Sequence, residues 1–342
     1  MKDSILIVGP CAAESREQVI ETASRICDLK FEISDFRFIF RAGVWKPRTS
    51  PRSFQGVGAE GLKWLQEVRE TFGVPVATEV ATPEQVEAAM EAGMDYVWIG
   101  ARSSATPIVV QSLADSILDL RFKIGDLKGV FIKNPVNADA GLWLGNIERL
   151  EKTGVPVMAV HRGCGHQPCW AMAHAVRTAR PDIPMLLDPS HLSGDAAKVP
   201  GLLEKVAELG LDGAMIEVHR KPEEALSDAK QQIRPEALVQ ELKKFKGFKG
   251  SKDTELNWLR AEIDELDDRL WATIAARMDV SRRIGEWKKA HGVAPLQPER
   301  YKQIVEKLKS LRVQEFKGLK VSEEFMLKVW ELIHEESLKQ QG

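Results

Sequence analysis

Short apolar runs alternate with longer amphipathic segments along the first 220 residues of the chain. Each run has the length of a buried strand, and the segments between runs show the apolar spacing of helices. Repeated β-α units in series are typical of a (β/α)8 TIM barrel, in which a closed parallel sheet is surrounded by helices. The eight predicted strands cover residues 5–8, 38–40, 74–77, 96–99, 130–132, 156–160, 185–187 and 214–216.

A residue that can bind a ligand or carry a proton follows each predicted strand. In a (β/α)8 barrel the active site lies at the carboxyl ends of the strands, so we expect these side chains to line one mouth. In chain order they are Cys11, Arg41, Glu79, Arg102, Lys133, Arg162, His191 and Glu217.

The alternation stops near residue 250, where the segment 245–252 is rich in glycine and lysine. This composition indicates a linker between two predicted domains, 1–250 and 251–342. After the linker, apolar residues recur every three or four positions, which predicts an all-α region of three helices over about 254–291, 298–311 and 322–340. The first helix would be about 54 Å long, too long for a compact small domain, so we expect a homodimer that buries its apolar stripe.

Composition and charge narrow the range of partners. The 342 residues are 44% hydrophobic and 29% charged, with a formal net charge of −2, which favours neither nucleic acid nor an anionic membrane. No signal peptide, membrane span or disulfide framework is recognisable, so the expected compartment is the cytoplasm. Any preference for anions must come from local clustering of cations.

Four residues form a candidate metal site. Strands 7, 8 and 1 are neighbours in a closed barrel, so Cys11, His191 and Glu217 should converge, and Asp228 follows in the next loop. A thiolate, an imidazole and two carboxylates suit a borderline divalent ion such as Mn, Fe, Co or Zn. An ion with an open coordination position would polarise a carbonyl group.

Cations cluster after predicted strands 2, 4, 5 and 6, although the chain carries almost no net charge. Guanidinium and ammonium groups around one mouth predict substrates with several phosphate or carboxylate groups. The candidates are Arg41, Lys46, Arg48, Arg102, Lys133 and Arg162.

Motifs over residues 5–245 resemble those of the 3-deoxy-D-arabino-heptulosonate 7-phosphate (DAHP) synthases that lack long amino-terminal extensions. The resemblance implies that phosphoenolpyruvate and erythrose 4-phosphate condense to DAHP and phosphate, the first step of the shikimate pathway. The matching segments are Arg41-Ala-Gly43, Lys46-Pro-Arg-Thr-Ser-Pro51, Ser53-Phe-Gln-Gly56, Ile99-Gly-Ala-Arg102, Leu187-Asp-Pro-Ser-His191, Ile216-Glu-Val-His219 and Leu226-Ser-Asp-Ala-Lys-Gln-Gln232.

The resemblance also assigns roles to the clustered residues. It implies that the metal polarises the aldehyde, that Lys46 binds substrate or donates a proton, and that the phosphate of erythrose 4-phosphate lies on Arg48 and Thr49. The related 3-deoxy-octulosonate 8-phosphate synthases have Asn in place of the Pro-Arg pair, so Arg48 favours erythrose 4-phosphate over arabinose 5-phosphate. Phosphoenolpyruvate is expected among Arg41, Lys46, Arg102, Lys133 and Arg162.

Two residues depart from the usual family pattern. Asn134 follows Lys133 where an Arg is usual, and His161 precedes Arg162 where a Glu is usual. The cations themselves are kept, so only the groups that orient them are expected to differ.

Residues 254–342 resemble the three-helix chorismate mutases, which convert chorismate to prephenate. The resemblance implies that Arg260 from one chain, with Arg277 and Arg300, binds the carboxylates, and that Lys288 and Gln341 face the ether oxygen. Gln297 and Tyr301 stand where Asp and Glu are frequent. The matching positions are Leu259-Arg260, Arg277, Gly285-x-x-Lys288, Pro298-Glu-Arg300, His334-Glu-Glu-Ser337 and Gln341.

Two interpretations of the helical region remain open. It is either a second catalytic domain, which would make the chain bifunctional, or a non-catalytic module for dimerisation and ligand sensing. In both cases prephenate is the expected inhibitor of the barrel, because the barrel has no other candidate sensor of pathway products. Formation of prephenate from chorismate distinguishes the two.

Overall fold

The structure is a computed structural model, and it describes residues 4–29, 35–47, 50, 52–245, 247–248, 250, 253–310 and 322–341. Eight parallel strands close into a barrel in chain order, and the last strand pairs with the first. The (β/α)8 fold predicted from the alternation is therefore confirmed. The strands are β1 Ser4–Gly9, β2 Phe36–Arg41, β3 Val76–Val80, β4 Tyr96–Ile99, β5 Gly129–Lys133, β6 Val157–His161, β7 Met185–Leu187 and β8 Gly213–Glu217.

Helices follow the strands, and three more form the carboxyl-terminal region. None of the described helices combines the length and apolar composition that a membrane crossing requires. The helices are α1 Arg16–Leu29, α2 Glu60–Phe72, α3 Pro83–Glu91, α4 Ala101–Ser104, α5 Pro107–Arg121, α6 Ala140–Glu151, α7 Trp170–Ala179, α8 Pro189–Ser193, α9 Val199–Glu208, α10 Pro235–Leu242, α11 Thr254–Ala290, α12 Pro298–Ser310 and α13 Glu323–Lys339.

Strand β3 begins two residues later than the apolar pattern predicts. Pro75 has no N–H group for the ladder, although its carbonyl accepts a hydrogen bond from Phe40 at 2.8 Å. The N–H of Val76 donates to the Asp95 carboxylate at 3.0 Å, which fixes the start of the strand. As a result the strand extends to Val80 and carries Glu79 within it.

Buried side chains on the two faces of the sheet form separate cores. The outward face packs against the helices in the larger cluster. The interior is filled, as in a packed TIM barrel, so ligands are confined to its ends. The interior cluster contains Ile5, Ile7, Ile39, Ala77, Tyr96, Trp98, Phe131, Met158, Val160, Leu186 and Met215.

The chain divides into two compact units, Met1–Glu262 and Ile263–Gly342. The first residues of α11 belong to the barrel unit, where Trp258 is 2% exposed within the larger core. Its indole stacks on His174 of α7 at 5.3 Å and meets Trp170 edge-on at 6.1 Å. The second unit contains the rest of α11 together with α12 and α13. The two units thus share one continuous helix.

Replacing Trp258 with Ala should destabilise the barrel unit by about 3–5 kcal/mol, because a buried indole and its stacking contacts are lost. The matched control is Phe122→Ala, since Phe122 is 81% exposed. Hydrogen-exchange protection of the barrel strands across a urea series measures the difference. Equal protection in the two variants would show that the start of α11 contributes nothing to the barrel.

Candidate active site

The carboxyl ends of the strands open into a cavity of about 210 Å³. A larger cavity of about 850 Å³ lies at the amino-terminal end of the barrel, and none of the predicted site residues that the structure describes line it. The chemistry-bearing residues therefore gather at the smaller cavity, as expected for parallel strands that end at one face. Its lining includes Arg41, Lys46, Glu79, Arg102, Lys133, Arg162, His191 and Asp228.

The residues predicted to bind a metal lie together at this mouth. The Cys11 sulfur and one carboxylate oxygen each of Glu217 and Asp228 lie within 4.8 Å of one another. His191 lies at the edge of this group, with its Nε2 atom 3.6 Å from Oε1 of Glu217. The structure therefore brings all four residues to one place, with three of them in mutual contact range. Their donor types suit a borderline divalent ion.

His191 is oriented as metal-binding histidines usually are. Its Nδ1 atom lies 2.9 Å from Oδ2 of Asp188, and this contact assigns the ring proton to Nδ1. The lone pair of Nε2 then faces the Glu217 carboxylate. Two acceptors that face each other in this way are stabilised by a cation between them, so the residues present fit a divalent ion.

Glu217 is a fully buried carboxylate at the end of β8. Its Oε2 accepts a hydrogen bond from Gln231 at 2.7 Å, and its Oε1 lies 3.4 Å from the Arg41 guanidinium. Burial alone would raise the pKa of this carboxyl, but the positive charges of Arg41, Lys46 and the protonated form of His191 outweigh burial and lower it. The group is therefore charged at neutral pH.

The Cys11 thiol lies in a different electrostatic environment. Burial and then the charge of Glu217 raise its pKa to about 12. Without an ion the thiol is protonated and lies 3.0 Å from Oδ2 of Asp228, so ion binding must release its proton. The backbone N–H of Cys11 donates to Gln232 at 3.0 Å. Gln231 and Gln232 thus hold two of the donor residues in place.

Arg41 gives the most direct indication of the kind of ligand that the mouth binds. Its side chain is buried, and its guanidinium lies 4.5 Å from the ring centroid of Trp98. Its Nη2 group donates to the Cys11 carbonyl at 3.2 Å, whereas Nε and Nη1 have no hydrogen-bond partner among the residues that the structure describes. Because buried donors are nearly always paired, these two N–H groups indicate an anionic ligand.

Lys46 is the second buried cation beside the metal group. Its Nζ donates to the Cys11 carbonyl at 3.0 Å and lies 3.9 Å from Oε2 of Glu79. Burial lowers the pKa of Lys46, but the charges of Glu79 and Glu217, and that of Cys11 when it is a thiolate, outweigh burial and raise it. Lys46 therefore remains an ammonium ion. The sequence places Glu79 at a strand end without giving it a role, and the structure places it next to this ammonium.

The other predicted cations line the same mouth. Arg102 donates to the Pro47 carbonyl at 3.1 Å, and Lys133 donates to Asp188 at 2.7 Å. Arg162 is half-buried at the end of β6. The structure thus brings together five of the predicted anion-binding cations. The other two predicted substrate ligands, Arg48 and Thr49, lie outside the described residues.

Both departures from the family pattern have structural partners. Asn134 accepts a hydrogen bond from the Arg162 N–H at 2.7 Å and donates to the Gly163 carbonyl at 3.1 Å, which ties the end of β5 to the end of β6. His161 is buried between the rings of Trp143 and Trp170, at centroid distances of 6.2 and 5.3 Å. In this chain the amide of Asn134 and the ring packing of His161 therefore orient the ends of β5 and β6.

In the second unit, two predicted cations contact the end of α13. Arg277 donates to the Ser337 hydroxyl, and Lys288 donates to the Gln341 side chain at 3.0 Å. The predicted residue Arg300 is exposed and donates to Gln303 at 3.3 Å.

His334 is affected by these two cations. Burial and then the charges of Arg277 and Lys288 lower its pKa. Its ring stacks on Trp330 at 4.9 Å, and Tyr301 packs against both rings. The predicted residue Arg260 lies elsewhere, exposed on the part of α11 that belongs to the barrel unit.

Fold and mouth together define a (β/α)8-barrel protein that offers cations to anionic ligands and donor atoms to a divalent ion. Residues 2–252 match the DAHP synthetase I family, and residues 259–342 match chorismate mutase type II. The chain belongs to the DAHP synthetase I family and carries a chorismate mutase domain after its barrel.

Individual relatives agree with the family assignment. The phospho-2-dehydro-3-deoxyheptonate aldolase of Thermotoga maritima is 31% identical, covering 72% of this chain and 71% of that protein. A crystal structure of that enzyme, titled as a DAHP synthase, superposes with a TM-score of 0.61 at 28% identity and covers 72% of each chain. The 2-dehydro-3-deoxyphosphooctonate aldolase of Desulfatibacillum aliphaticivorans is 31% identical over 68% of this chain and 88% of its own length.

Buried His161 should make the barrel less stable in mild acid. Burial lowers its pKa from 6.5 to about 4, so between these values the unfolded chain binds a proton that the folded chain does not. Stability should therefore fall by about 1.4 kcal/mol per pH unit as the pH drops from about 6.5 to about 4.

Hydrogen exchange of the barrel strands at pH 7.5 and 5 measures this loss. His161→Gln should reduce the difference between the two pH values, and the matched control is His291→Gln, at an exposed position. A difference that survives in His161→Gln would assign the acid sensitivity to other groups.

Proposed function

We propose that the barrel condenses phosphoenolpyruvate with erythrose 4-phosphate to give DAHP and phosphate. The observation that supports it best is Arg41, a buried guanidinium beside a cluster of metal-donor atoms, whose Nε and Nη1 have no hydrogen-bond partner in the described part of the chain. A carboxylate or phosphate would satisfy these N–H groups. Erythrose 4-phosphate would place its phosphate on Arg48 and Thr49, as the family resemblance implies.

The cations would act on phosphoenolpyruvate by binding and orienting it. Arg41, Lys133 and Arg162 approach the mouth from different strands, so they would fix a dianionic or trianionic substrate at several points. Arg102 and Lys46 would complete this set. Since the charges of its neighbours keep Lys46 protonated, its ammonium would stabilise the negative charge that develops on the aldehyde oxygen when the carbon–carbon bond forms.

The residues Cys11, His191, Glu217 and Asp228 would hold a divalent ion, with Mn, Fe, Co and Zn as candidates. When bound, the ion supplies Lewis acidity toward the aldehyde carbonyl. The thiol of Cys11 must lose its proton to bind the ion, and a reducing cytoplasm suits a cysteine that has to stay free.

Replacing Cys11 with Ala tests this site. We expect the variant to bind less metal in equilibrium dialysis and to lose DAHP formation, because one of four ligands is gone. Cys27→Ala is the matched control, since Cys27 is a buried cysteine of α1. Unchanged metal binding in Cys11→Ala would contradict the proposed ligand set.

The assay of DAHP formation also tests which aldehyde the barrel uses. Erythrose 4-phosphate should be turned over and arabinose 5-phosphate should not. Preferred use of arabinose 5-phosphate would place the chain with the phosphooctonate aldolases among its relatives.

We propose that the carboxyl-terminal domain, residues 251–342, converts chorismate to prephenate, and that residues 1–250 form the synthase. Chorismate is a dianion, and the cations Arg277 and Lys288 both contact residues at the carboxyl end of the domain, Ser337 and Gln341. These two cations with Arg300, Gln341 and a partner's copy of Arg260 would hold its compact conformer, which is what this one-substrate rearrangement needs.

A homodimer through α11 accounts for the exposed apolar residues of that helix. Leu259, Ile263 and Leu266 are each about half exposed, and soluble monomers rarely leave such a stripe uncovered. Trp271 is 66% exposed on the same helix. A second copy of this helix would bury the stripe and bring Arg260 of one chain to the pocket of the other.

Prephenate is proposed as a feedback inhibitor of the barrel. The support is α11, which carries Arg277 in the second unit and begins within the core of the first. Its Trp258 contacts Trp170, and Trp170 contacts His161 beside the anion-binding Arg162. Ligand binding that strains α11 would therefore shift residues next to Arg162, a proposed substrate-binding cation.

Replacing Arg277 with Ala separates the two activities. Mutase kcat/KM should fall roughly 10²–10³-fold through loss of a preorganised charge, and inhibition by prephenate should weaken, while uninhibited DAHP synthesis is retained. The matched control is Arg282→Ala, an exposed arginine on the same helix that pairs with Asp279. If the unmodified protein forms no prephenate but is inhibited by it, the domain is a sensor only.

A further inference from the structure

Asp188 connects the two parts of the barrel site and has no role in the family resemblance described above. It follows β7 directly and has no exposed surface. Its backbone N–H donates to the His161 carbonyl at 2.7 Å, which fixes its position against β6. The side chain is therefore held beneath the mouth, in contact with both Lys133 and His191.

The carboxylate of Asp188 makes contacts on both sides. Its Oδ2 accepts a hydrogen bond from Nζ of Lys133 at 2.7 Å, and the same oxygen lies 2.9 Å from Nδ1 of His191. Its Oδ1 accepts a hydrogen bond from the His191 backbone N–H at 3.0 Å. One carboxylate thus orients Lys133, a proposed phosphoenolpyruvate-binding residue, and His191, a proposed metal-binding residue.

We propose that Asp188 is a positioning residue that prepares the phosphoenolpyruvate subsite and the metal subsite together. It holds the Lys133 ammonium toward the cavity and keeps the His191 proton on Nδ1, so that Nε2 is available to an ion. This inference rests on the two subsites of the proposed function. It goes further because it assigns the preparation of both subsites to a single buried carboxylate. That carboxylate would itself contact neither phosphoenolpyruvate nor the ion.

A substitution that neutralises Asp188 should affect both subsites. In Asp188→Asn the buried Lys133 ammonium loses its counter-charge and the contact that holds it toward the cavity. The amide also gives His191 a weaker acceptor at Nδ1, and such changes behind a metal ligand typically cost 10–100-fold in metal affinity.

The experiment measures each affinity in the absence of the other ligand. Binding of Mn²⁺ alone is followed by the paramagnetic resonance signal of the free ion, and binding of phosphoenolpyruvate to metal-free protein is followed by calorimetry. Asp188→Asn should weaken Mn²⁺ binding roughly 10–100-fold and phosphoenolpyruvate binding about tenfold. His191→Ala should weaken only the first, and Lys133→Met only the second.

The matched control is Asp95→Asn at the opposite end of the barrel. Asp95 is also buried, also pairs with a lysine, Lys128 at 2.8 Å, and also accepts a backbone N–H. It should leave both affinities within twofold, although it removes a similar network. A purely structural role for Asp188 would give the same result as this control, with lower stability and unchanged affinities.

The outcomes separate the inference from the proposed function. If His191→Ala and Lys133→Met leave their affinities unchanged, the proposed subsites are wrong. If those variants lose affinity but Asp188→Asn binds both Mn²⁺ and phosphoenolpyruvate as tightly as the unmodified protein, only the role of Asp188 is wrong. Should Asp188→Asn fold poorly, Asp188→Asn/Lys133→Met removes both charges, and weaker Mn²⁺ binding than in Lys133→Met still supports the inference.

Discussion

The barrel mouth depends on one constraint: its buried charges are not solvated by water and must be paired with each other. Glu217 and Asp188 are carboxylates with no exposed surface, and an isolated buried charge costs far more than a small domain can tolerate. Each is held by cations and hydrogen-bond donors from other strands of the barrel, Arg41 and Lys133 among them. Among the described residues, Nε and Nη1 of Arg41 have no hydrogen-bond partner. These buried donors make the site suited to an anionic ligand.

Barrel closure makes this network possible. Cys11, Arg41 and Glu217 come from β1, β2 and β8, which are separated in sequence by up to the whole length of the barrel yet adjacent in the sheet. An open sheet with the same sequence would leave Cys11 and Glu217 at opposite edges. Because the candidate metal donors span the seam between the last and first strands, the proposed chemistry depends on closure of the barrel.

The sequence predicted the barrel, the mouth and most of the clustered side chains, because strand order in a (β/α)8 barrel converts position in the chain into position in space. It did not predict the start of β3, where Pro75 and the Asp95 carboxylate override the apolar pattern. It gave no role to Asp188 or Gln231, because an aspartate at a helix start and a glutamine in a loop have ordinary local explanations. Their roles come from long-range partners that no local pattern encodes.

Helix α11 sets the physical limit on independence between the two activities. A domain joined by a flexible linker can move without cost to its neighbour, but α11 is continuous, and its first residues, including Trp258, are part of the barrel core. Any rotation or bending of the helix must be absorbed by its hydrogen bonds or by the packing of Trp258 against His174. Close-packed cores resist such changes and transmit strain. If ligand binding in the second unit bends α11, the packing of Trp258 in the barrel core is where the strain would arrive, and the proposed inhibition by prephenate would take this route.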